Sequence, residues 1–266
     1  MTPFSASLAS MDGSITLASS ATIPATDEGL LRGDGVFEVI RVYDGQPFAL
    51  EEHLRRLERS ALNLRLPLDL EAVRAEAHRL LAHAGAGPDH EALRIVVTRG
   101  GRRLLLTEPL PVGPPHIRLG QVTFAPTRVL DGVKSLSYGA NMLASRLARE
   151  QGYDEALLVT PHGRVLEAPT SSIFWVEGEA VFTPPLDEHI LASITRRVVI
   201  EESGAQERSC PVETLMEADE AFLASTIREV QPISAIESRE LPAPGEVTSR
   251  IAAAVAERIR RELDSG

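Results

Sequence analysis

Lysine is almost missing from this chain. Of the 27 lysine and arginine residues only Lys134 is a lysine, and the other 26 are arginines. Wherever solubility or an ion pair asked for a cation, guanidinium sufficed. Guanidinium cannot replace an amine that must shed its proton and attack a carbonyl, because it stays charged at any accessible pH. A solitary lysine among arginines is therefore a candidate for amine chemistry, beside the plainer alternative that it survives by chance. Cysteine is equally scarce. Cys210 alone cannot close an internal disulfide or by itself hold a structural zinc, so no metal is expected and a reducing cytoplasm is the expected home. Long apolar runs are lacking too: none approaches the roughly 20 residues that cross a bilayer, so no membrane partner is expected. Residues 1–20 are Ser-rich, without a basic leader or a continuous apolar stretch, which argues against a secretory or transit signal. Positive charge is short overall. A formal net charge of −11 works against a nucleic-acid partner.

What is present reads as an ordinary globular protein of 266 residues, 43% hydrophobic and 24% charged, large enough for one big or two modest domains. After Gly33-Asp34-Gly35, the β-branched alternation over residues 36–43 predicts a strand, Asp44-Gly45 a hairpin turn, and residues 46–50 its return. Leu50, Leu54, Leu57, Ala61 and Leu64 recur at spacings of four and three, marking one buried helix face with Arg56 just off it. A second amphipathic helix is predicted over residues 70–84, ending at Gly85. Residues 92–98 and 116–124 read as strands, with a turn at residues 99–103 and extended proline-rich chain at residues 109–115. The domain boundary falls at residues 125–131, giving an N-terminal α+β domain (1–124) and a C-terminal barrel-like domain (132–266) that carries Lys134. In the latter, a helix buries Ala140, Leu143, Ala144, Leu147 and Ala148. Short strands follow at residues 155–160, 163–168, 172–176, 180–183 and 220–225, spaced as in an antiparallel barrel. Helices are predicted near residues 194–203 and 245–263.

Several chemistries are set aside. There is no Gly-x-Ser-x-Gly elbow, no P-loop and no paired-histidine zinc helix. Gly33-Asp34-Gly35 opens like a dinucleotide fingerprint, but Glu38 takes the third glycine position and a strand follows. An enzyme that uses Lys134 as a Schiff base with a phosphorylated aldehyde needs a phosphate cradle, an anion for the pyridine nitrogen and a hold on the substrate carboxylate. Ser193-Ile194-Thr195 opens a predicted helix, where free N–H groups and the dipole favour an anion; a plain N-cap is the alternative. Ser225-Thr226 ends a strand with two more hydroxyls, and Arg56 offers charge-assisted hydrogen bonds. Glu167, just after Val165-Leu166 and before Ala168-Pro169-Thr170, stands where a turn could aim a carboxylate inward, although taken alone it reads as a surface acid.

These residues carry a resemblance. Between about Asp27 and Pro232 the chain resembles the class IV aminotransferases, the fold-type-IV pyridoxal-phosphate family of branched-chain aminotransferases, D-amino-acid aminotransferases, R-selective amine transaminases and aminodeoxychorismate lyases. Its blocks are Gly33-Asp34-Gly35-Val36-Phe37-Glu38, Glu52-His53-Leu54-Arg55-Arg56-Leu57, Val133-Lys134-Ser135-Leu136, Glu167 through Phe174, Thr183-Pro184-Pro185, Ile190 through Arg196, and Ala224 through Pro232. The resemblance implies a two-domain α+β fold with pyridoxal 5'-phosphate as cofactor and Lys134 as Schiff-base lysine and proton shuttle. It sets Glu167 at the pyridine nitrogen, with Arg56, Ile194, Thr195, Ser225 and Thr226 around the phosphate, next to the helix-start candidate Ser193. It also implies ping-pong transfer from a small-molecule amino donor to a 2-oxo acid acceptor, and a homodimer. Two departures stand out: Ser193 replaces a glycine and Ser172 an asparagine, which is expected to alter local hydrogen bonding only. For the substrate, Phe37, Glu38 and Arg41 are expected to face it or brace its pocket. Arg102 or Arg103 is expected to take its carboxylate, and Tyr138 to reach the cofactor's phenolic oxygen or simply pack. The alternatives are an aminodeoxychorismate lyase using the same lysine, and a non-catalytic small-molecule-binding protein on the same fold.

Overall fold

Side chains on a strand alternate between its two faces, so Val36, Ile40 and Val42 point one way from the Gly35–Tyr43 strand and Phe37, Val39 and Arg41 the other. That alternation organises the first of two compact units in the computed structural model, which describes residues 7–265. The first six residues of the stretch inspected for a leader lie outside the described residues. The first unit takes in the chain up to Val112 together with Gly132–Tyr138; the second is Gly113–Asp131 together with the chain from Gly139 onward.

The first unit is an antiparallel sheet of β1 (Leu8–Met11), β2 (Ser14–Leu17), β3 (Gly35–Tyr43), β4 (Gln46–Pro47), β5 (Ala92–Thr98) and β6 (Arg103–Glu108), in the order β2-β1-β6-β5-β3-β4. A short helix, α1 (Glu28–Arg32), is capped by Asp27. Helices α2 (Leu50–Asn63) and α3 (Leu70–Ala84) cover one face. The stripe predicted for α2 is buried from Leu50 to Ala61, and Leu54 and Leu57 pack, together with Val73 and Leu80 of α3, against Val36, Ile40, Leu93 and Ile95. Each such side chain contributes roughly 1.5–3 kcal/mol by leaving water.

The segment Gly132–Tyr138 docks on the edge of β3. Ser135 bridges Val36, Phe37 N–H donates to the Lys134 carbonyl (3.0 Å), and Leu136 N–H donates to the Gly35 carbonyl (2.9 Å). Gly35 permits this approach, since a Cβ there would stand 2.6 Å from both Leu136 Cδ1 and the Val97 carbonyl oxygen. By packing, then, Lys134 belongs to the first unit, where the sequence boundary had assigned it to the C-terminal domain. The residues around 117–123 move the opposite way, because they pair within the second sheet.

The second unit is a curled eight-stranded sheet of β7 (Ile117–Thr123), β8 (Glu155–Val159), β9 (Ser172–Glu177), β10 (Ala180–Thr183), β11 (Gln206–Glu207), β12 (Glu220–Ser225), β13 (Glu229–Ile236) and β14 (Arg239–Glu240). Its path is β11-β10-β9-β12-β13-β7-β8, with β14 on β13. The expected antiparallel barrel is in fact mixed: β7 runs parallel to both β8 and β13, and β10 parallel to β11. Around it lie α4 (Gly139–Glu150), α5 (Ile194–Ser203), α6 (Val212–Leu215) and α7 (Glu246–Ser265). The α4 face differs from its prediction, since Ala144, Ser145 and Ala148 are buried while Leu143 and Leu147 are 49% and 38% exposed. On the buried face Ser145 Oγ donates to the buried Glu155 carboxylate (2.6 Å), and Ala144 and Ala148 pack with Ala156 and Leu158 of β8. Among the described residues no helix is long and apolar enough to cross a membrane.

Candidate active site

In the first unit the lone lysine is tied down by its backbone and aimed by aromatic rings. Its N–H donates to Ser60 Oγ on α2 (3.1 Å), and its carbonyl accepts from Phe37. The Nζ atom lies 4.4 Å from the centre of the Phe37 ring and 5.9 Å from that of Tyr138. Those two rings meet edge to face at 5.3 Å, so Tyr138 packs in the lysine's immediate surroundings. The amine thus sits on the Phe37 face of the sheet, opposite the face covered by α2 and α3, half-buried.

On the opposite face of the same strand, Glu38 is fully buried and accepts from Arg56 Nε (2.7 Å), Arg56 Nη2 (2.6 Å) and His53 Nδ1 (2.8 Å). Burial alone would raise this carboxyl, but the Arg56 charge and the hydrogen bonds from Arg56 and His53 outweigh it and hold it at about 2. Burial pushes His53 below its ordinary value against the pull of Glu38. An ionised Glu38 can only accept, so the neutral ring carries its proton on Nδ1. Arg56, read as lying just off the buried stripe, is only 5% exposed. Glu38 therefore braces Arg56 from the helix side rather than facing the Phe37 side, as the period of two along β3 requires. Arg41 does share the Phe37 face, with its guanidinium 4.9 Å from the Tyr43 ring.

Strand parity separates the two candidate arginines. Arg103 projects to the helix side, where Nε and Nη2 reach the buried Glu76 of α3 (3.0 and 2.8 Å). Arg102, in the turn, donates to Asp12 (2.7 Å) and stays half-exposed. The structure does not bring Arg103 to the Phe37 face. Two arginines that sequence reasoning passed over stand out instead. Arg99 joins Asp34 (2.6 Å) to the Arg65 and Leu64 carbonyls (2.9 and 2.7 Å), which pins Gly33-Asp34-Gly35 to the end of α2. Arg94 stands 6.0 Å from the same Phe37 ring that Lys134 overlies. Only the alternation along residues 92–98 could have flagged it.

In the second unit, Ser193 caps α5 by accepting from Arg196 N–H (3.2 Å), as the plain N-cap alternative supposed. This satisfies the third N–H of the helix. The N–H groups of Ile194 and Thr195 precede the first intrahelical bond and point out of the helix start beside the buried Thr195 hydroxyl. Ser225 ends β12, and its Oγ accepts from Arg228 N–H (3.3 Å), folding Ser225-Thr226 into a tight turn. Arg228 anchors that turn: Nη2 donates to Glu155 (2.9 Å) and Nη1 to Gln231 (2.5 Å). Glu167 holds Leu158 N–H with its carbonyl (2.9 Å) and Leu191 N–H with Oε1 (3.4 Å), so the strand-to-turn geometry keeps it half-buried. Ser172 Oγ, where asparagine is usual, is buried without a hydrogen-bond partner. Burial pushes the Cys210 thiol up to about 12, so it is no candidate nucleophile.

The chemistry of this donor set fits a phosphorylated cofactor. Two N–H groups and a buried hydroxyl at a helix start suit a phosphate, as do the two hydroxyls in a braced turn of the same unit.

Comparisons with known proteins agree in class. The Amino-transferase class IV family matches residues 35–236. The chain is 34% identical to a putative branched-chain-amino-acid aminotransferase of Methanocaldococcus jannaschii, over 91% of this chain and 92% of that one. It is 29% identical to aminodeoxychorismate lyase of Bacillus subtilis, over 87% of each. Among solved structures, a hypothetical aminotransferase from Mycobacterium tuberculosis in its PLP-bound form superposes with a TM-score of 0.85 at 26% identity, covering 96% of this chain and 99% of that one. The class is that of the fold-type-IV pyridoxal-phosphate enzymes. Within it, the chain belongs to the class IV aminotransferases.

Proposed function

We propose that this enzyme transfers an amino group from an amino acid or amine to a 2-oxo acid in two half-reactions, with Lys134 as the amine that holds pyridoxal 5'-phosphate. When bound, that cofactor supplies an electron sink for the pair released at the substrate carbon. Lys134 Nζ then carries the proton to and from that carbon as general base and acid. Ser193, Ile194, Thr195, Ser225, Thr226 and Arg56 hold the phosphate, and Glu167 keeps the pyridine nitrogen protonated. Phe37, Arg41 and Tyr138 border the substrate, and Glu38 acts behind them through Arg56. The observation that carries this reading is the sole lysine, fixed at both backbone ends, with Nζ 4.4 Å from the Phe37 ring.

The test is spectroscopic. The purified holoenzyme is expected to be yellow, to bleach with an amino donor from a panel of D- and L-amino acids and R-amines, and to recover its colour with a 2-oxo acid. Release of 4-aminobenzoate and pyruvate from aminodeoxychorismate, without bleaching by amino acids, would favour the lyase instead. A colour that no donor changes would mark a binding protein. A homodimer belongs to the same reading, and sedimentation velocity checks it.

Arg102 remains the candidate for the substrate carboxylate. Arg102→Ala is expected to raise the donor KM roughly tenfold, the scale of one charge-assisted hydrogen bond, with kcat little changed. An unmoved KM removes Arg102 from the site.

A further inference from the structure

Lys134 and Arg94 flank one ring. Nζ lies 4.4 Å and the Arg94 Cζ 6.0 Å from the centre of Phe37, so amine and guanidinium can be no further apart than those two distances together. Around them Val39, Val96, Leu104 and Leu106 stand on the same side by the pairing Val39–Arg94, Arg94–Leu106 and Val96–Leu104, with Arg41 two residues beyond Val39 at the far end of that face. A guanidinium in that position is a ready receptor for a second carboxylate on the substrate. Here it is already taken. Glu108, diagonal to Arg94 on the neighbouring strand, accepts from Nε (2.5 Å) and Nη2 (2.9 Å) in a two-point fork, and its side chain is only 13% exposed.

We propose that Glu108 is a specificity-determining residue that closes Arg94 to dicarboxylic substrates and gives the enzyme a preference for 2-oxo acids and donors with uncharged side chains. The inference rests on the function proposed above, because it takes Lys134 as the reacting amine. A substrate carboxylate that displaced Glu108 would exchange one ion pair for another and leave a largely hidden carboxylate without its partner. One that did not displace it would meet a negative charge next to its own. Either way the second carboxylate adds nothing, while an apolar side chain gains the Val96, Leu104 and Leu106 surface. Selectivity arises from a group set against the unwanted substrate as much as from contacts with the favoured one.

The experiment compares wild type with Glu108→Gln, and with Glu108→Gln carrying Arg94→Met. Acceptors are pyruvate and 2-oxoglutarate in the amino-acceptor half-reaction. In parallel, butyrate and glutarate, which cannot react, are titrated into the holoenzyme by calorimetry. Wild type is expected to prefer pyruvate and to bind glutarate no better than butyrate. Glu108→Gln is expected to raise both the 2-oxoglutarate/pyruvate ratio of kcat/KM and the glutarate/butyrate affinity ratio at least tenfold. Adding Arg94→Met should return both ratios to the wild-type range, which a general loosening of the sheet would not do. The proposal is overturned if wild type already favours the dicarboxylate, or if Glu108→Gln leaves both ratios where they were. Should Glu108→Gln fold poorly, Glu108→Ala with Arg94 intact must give the same tenfold shift. A holoenzyme that no donor bleaches takes down the functional reading, and this proposal with it; an enzyme that turns over with unmoved ratios takes down this proposal alone.

Discussion

Lys134→Arg is expected to fold and bind cofactor yet lose turnover by about 10^4-fold, the upper range of what a positioned proton-transfer group supplies. Arginine can keep a cation over the Phe37 ring, where the amine now sits 4.4 Å from the ring centre. The backbone bonds to Ser60 and Phe37 need no particular side chain. What arginine cannot do is give up its proton, so it can neither condense with an aldehyde nor take a proton from the substrate carbon. The measurement is threefold: thermal midpoint, donor-dependent bleaching, and peptide mapping after borohydride reduction. Wild type should carry the reduced cofactor at Lys134, and the variant should carry none. With Lys134→Ala, added methylamine should restore part of the rate, though far from all, because a free amine lacks the advantage of being held in place. A Lys134→Arg enzyme that retains more than about a hundredth of the wild-type rate, a smaller loss than even the low end of about 10^2-fold for such a group, would refute the assignment.

Local signals in the sequence were readable because local forces settle them. Helices at residues 50–63, 70–84 and 194–203 follow from apolar spacing, with Gly85 and Ser193 marking an end and a start that backbone chemistry demands. The strand over residues 103–108 was hidden by the Gly-Gly-Arg-Arg that runs into its first residue, and is made by pairing on both sides, with β1 and β5. The unit to which Lys134 belongs was likewise out of reach, because it is decided by two backbone hydrogen bonds and one bridge to β3, far away in the chain. The candidate site divides in the same way. Residue types at Lys134, Glu167, Thr195 and Thr226 could be picked from motifs. Which face each arginine takes could not: Arg102 and Arg103 are adjacent yet serve Asp12 and Glu76, while Arg94 meets Glu108 across two strands. Face assignment needs register, and register is a property of the assembled sheet.

Register also creates the second large effect, the buried cluster behind β3. Glu38→Gln keeps the shape but removes the charge that holds Arg56 and orients His53. Breaking a buried ion pair from one side costs about 3–5 kcal/mol, which for a domain of this size lowers Tm by roughly 10 °C. If Arg56 holds the phosphate as proposed, cofactor affinity should fall roughly ten- to hundredfold at the same time, the worth of a charge-assisted hydrogen bond made by a now misplaced group. The acid limb separates this from generic damage. Glu38 ionises at about 2 when folded against an ordinary 4.5, so between those values the unfolded chain takes up a proton that the folded one refuses. Its stabilisation is complete above 4.5 and drains away as the pH falls toward 2. His53, held below its ordinary 6.5 by burial, adds a destabilisation of the same sign that begins below 6.5. Wild type should therefore lose stability in two stages on acidification, and Glu38→Gln should show a shallower lower stage, the part left to Asp12, Glu51 and Glu177, while keeping the upper one. Denaturant midpoints measured from pH 7 down to pH 3 decide it: an unchanged slope below pH 4.5 in the variant would mean that Glu38 is not the titrating brace.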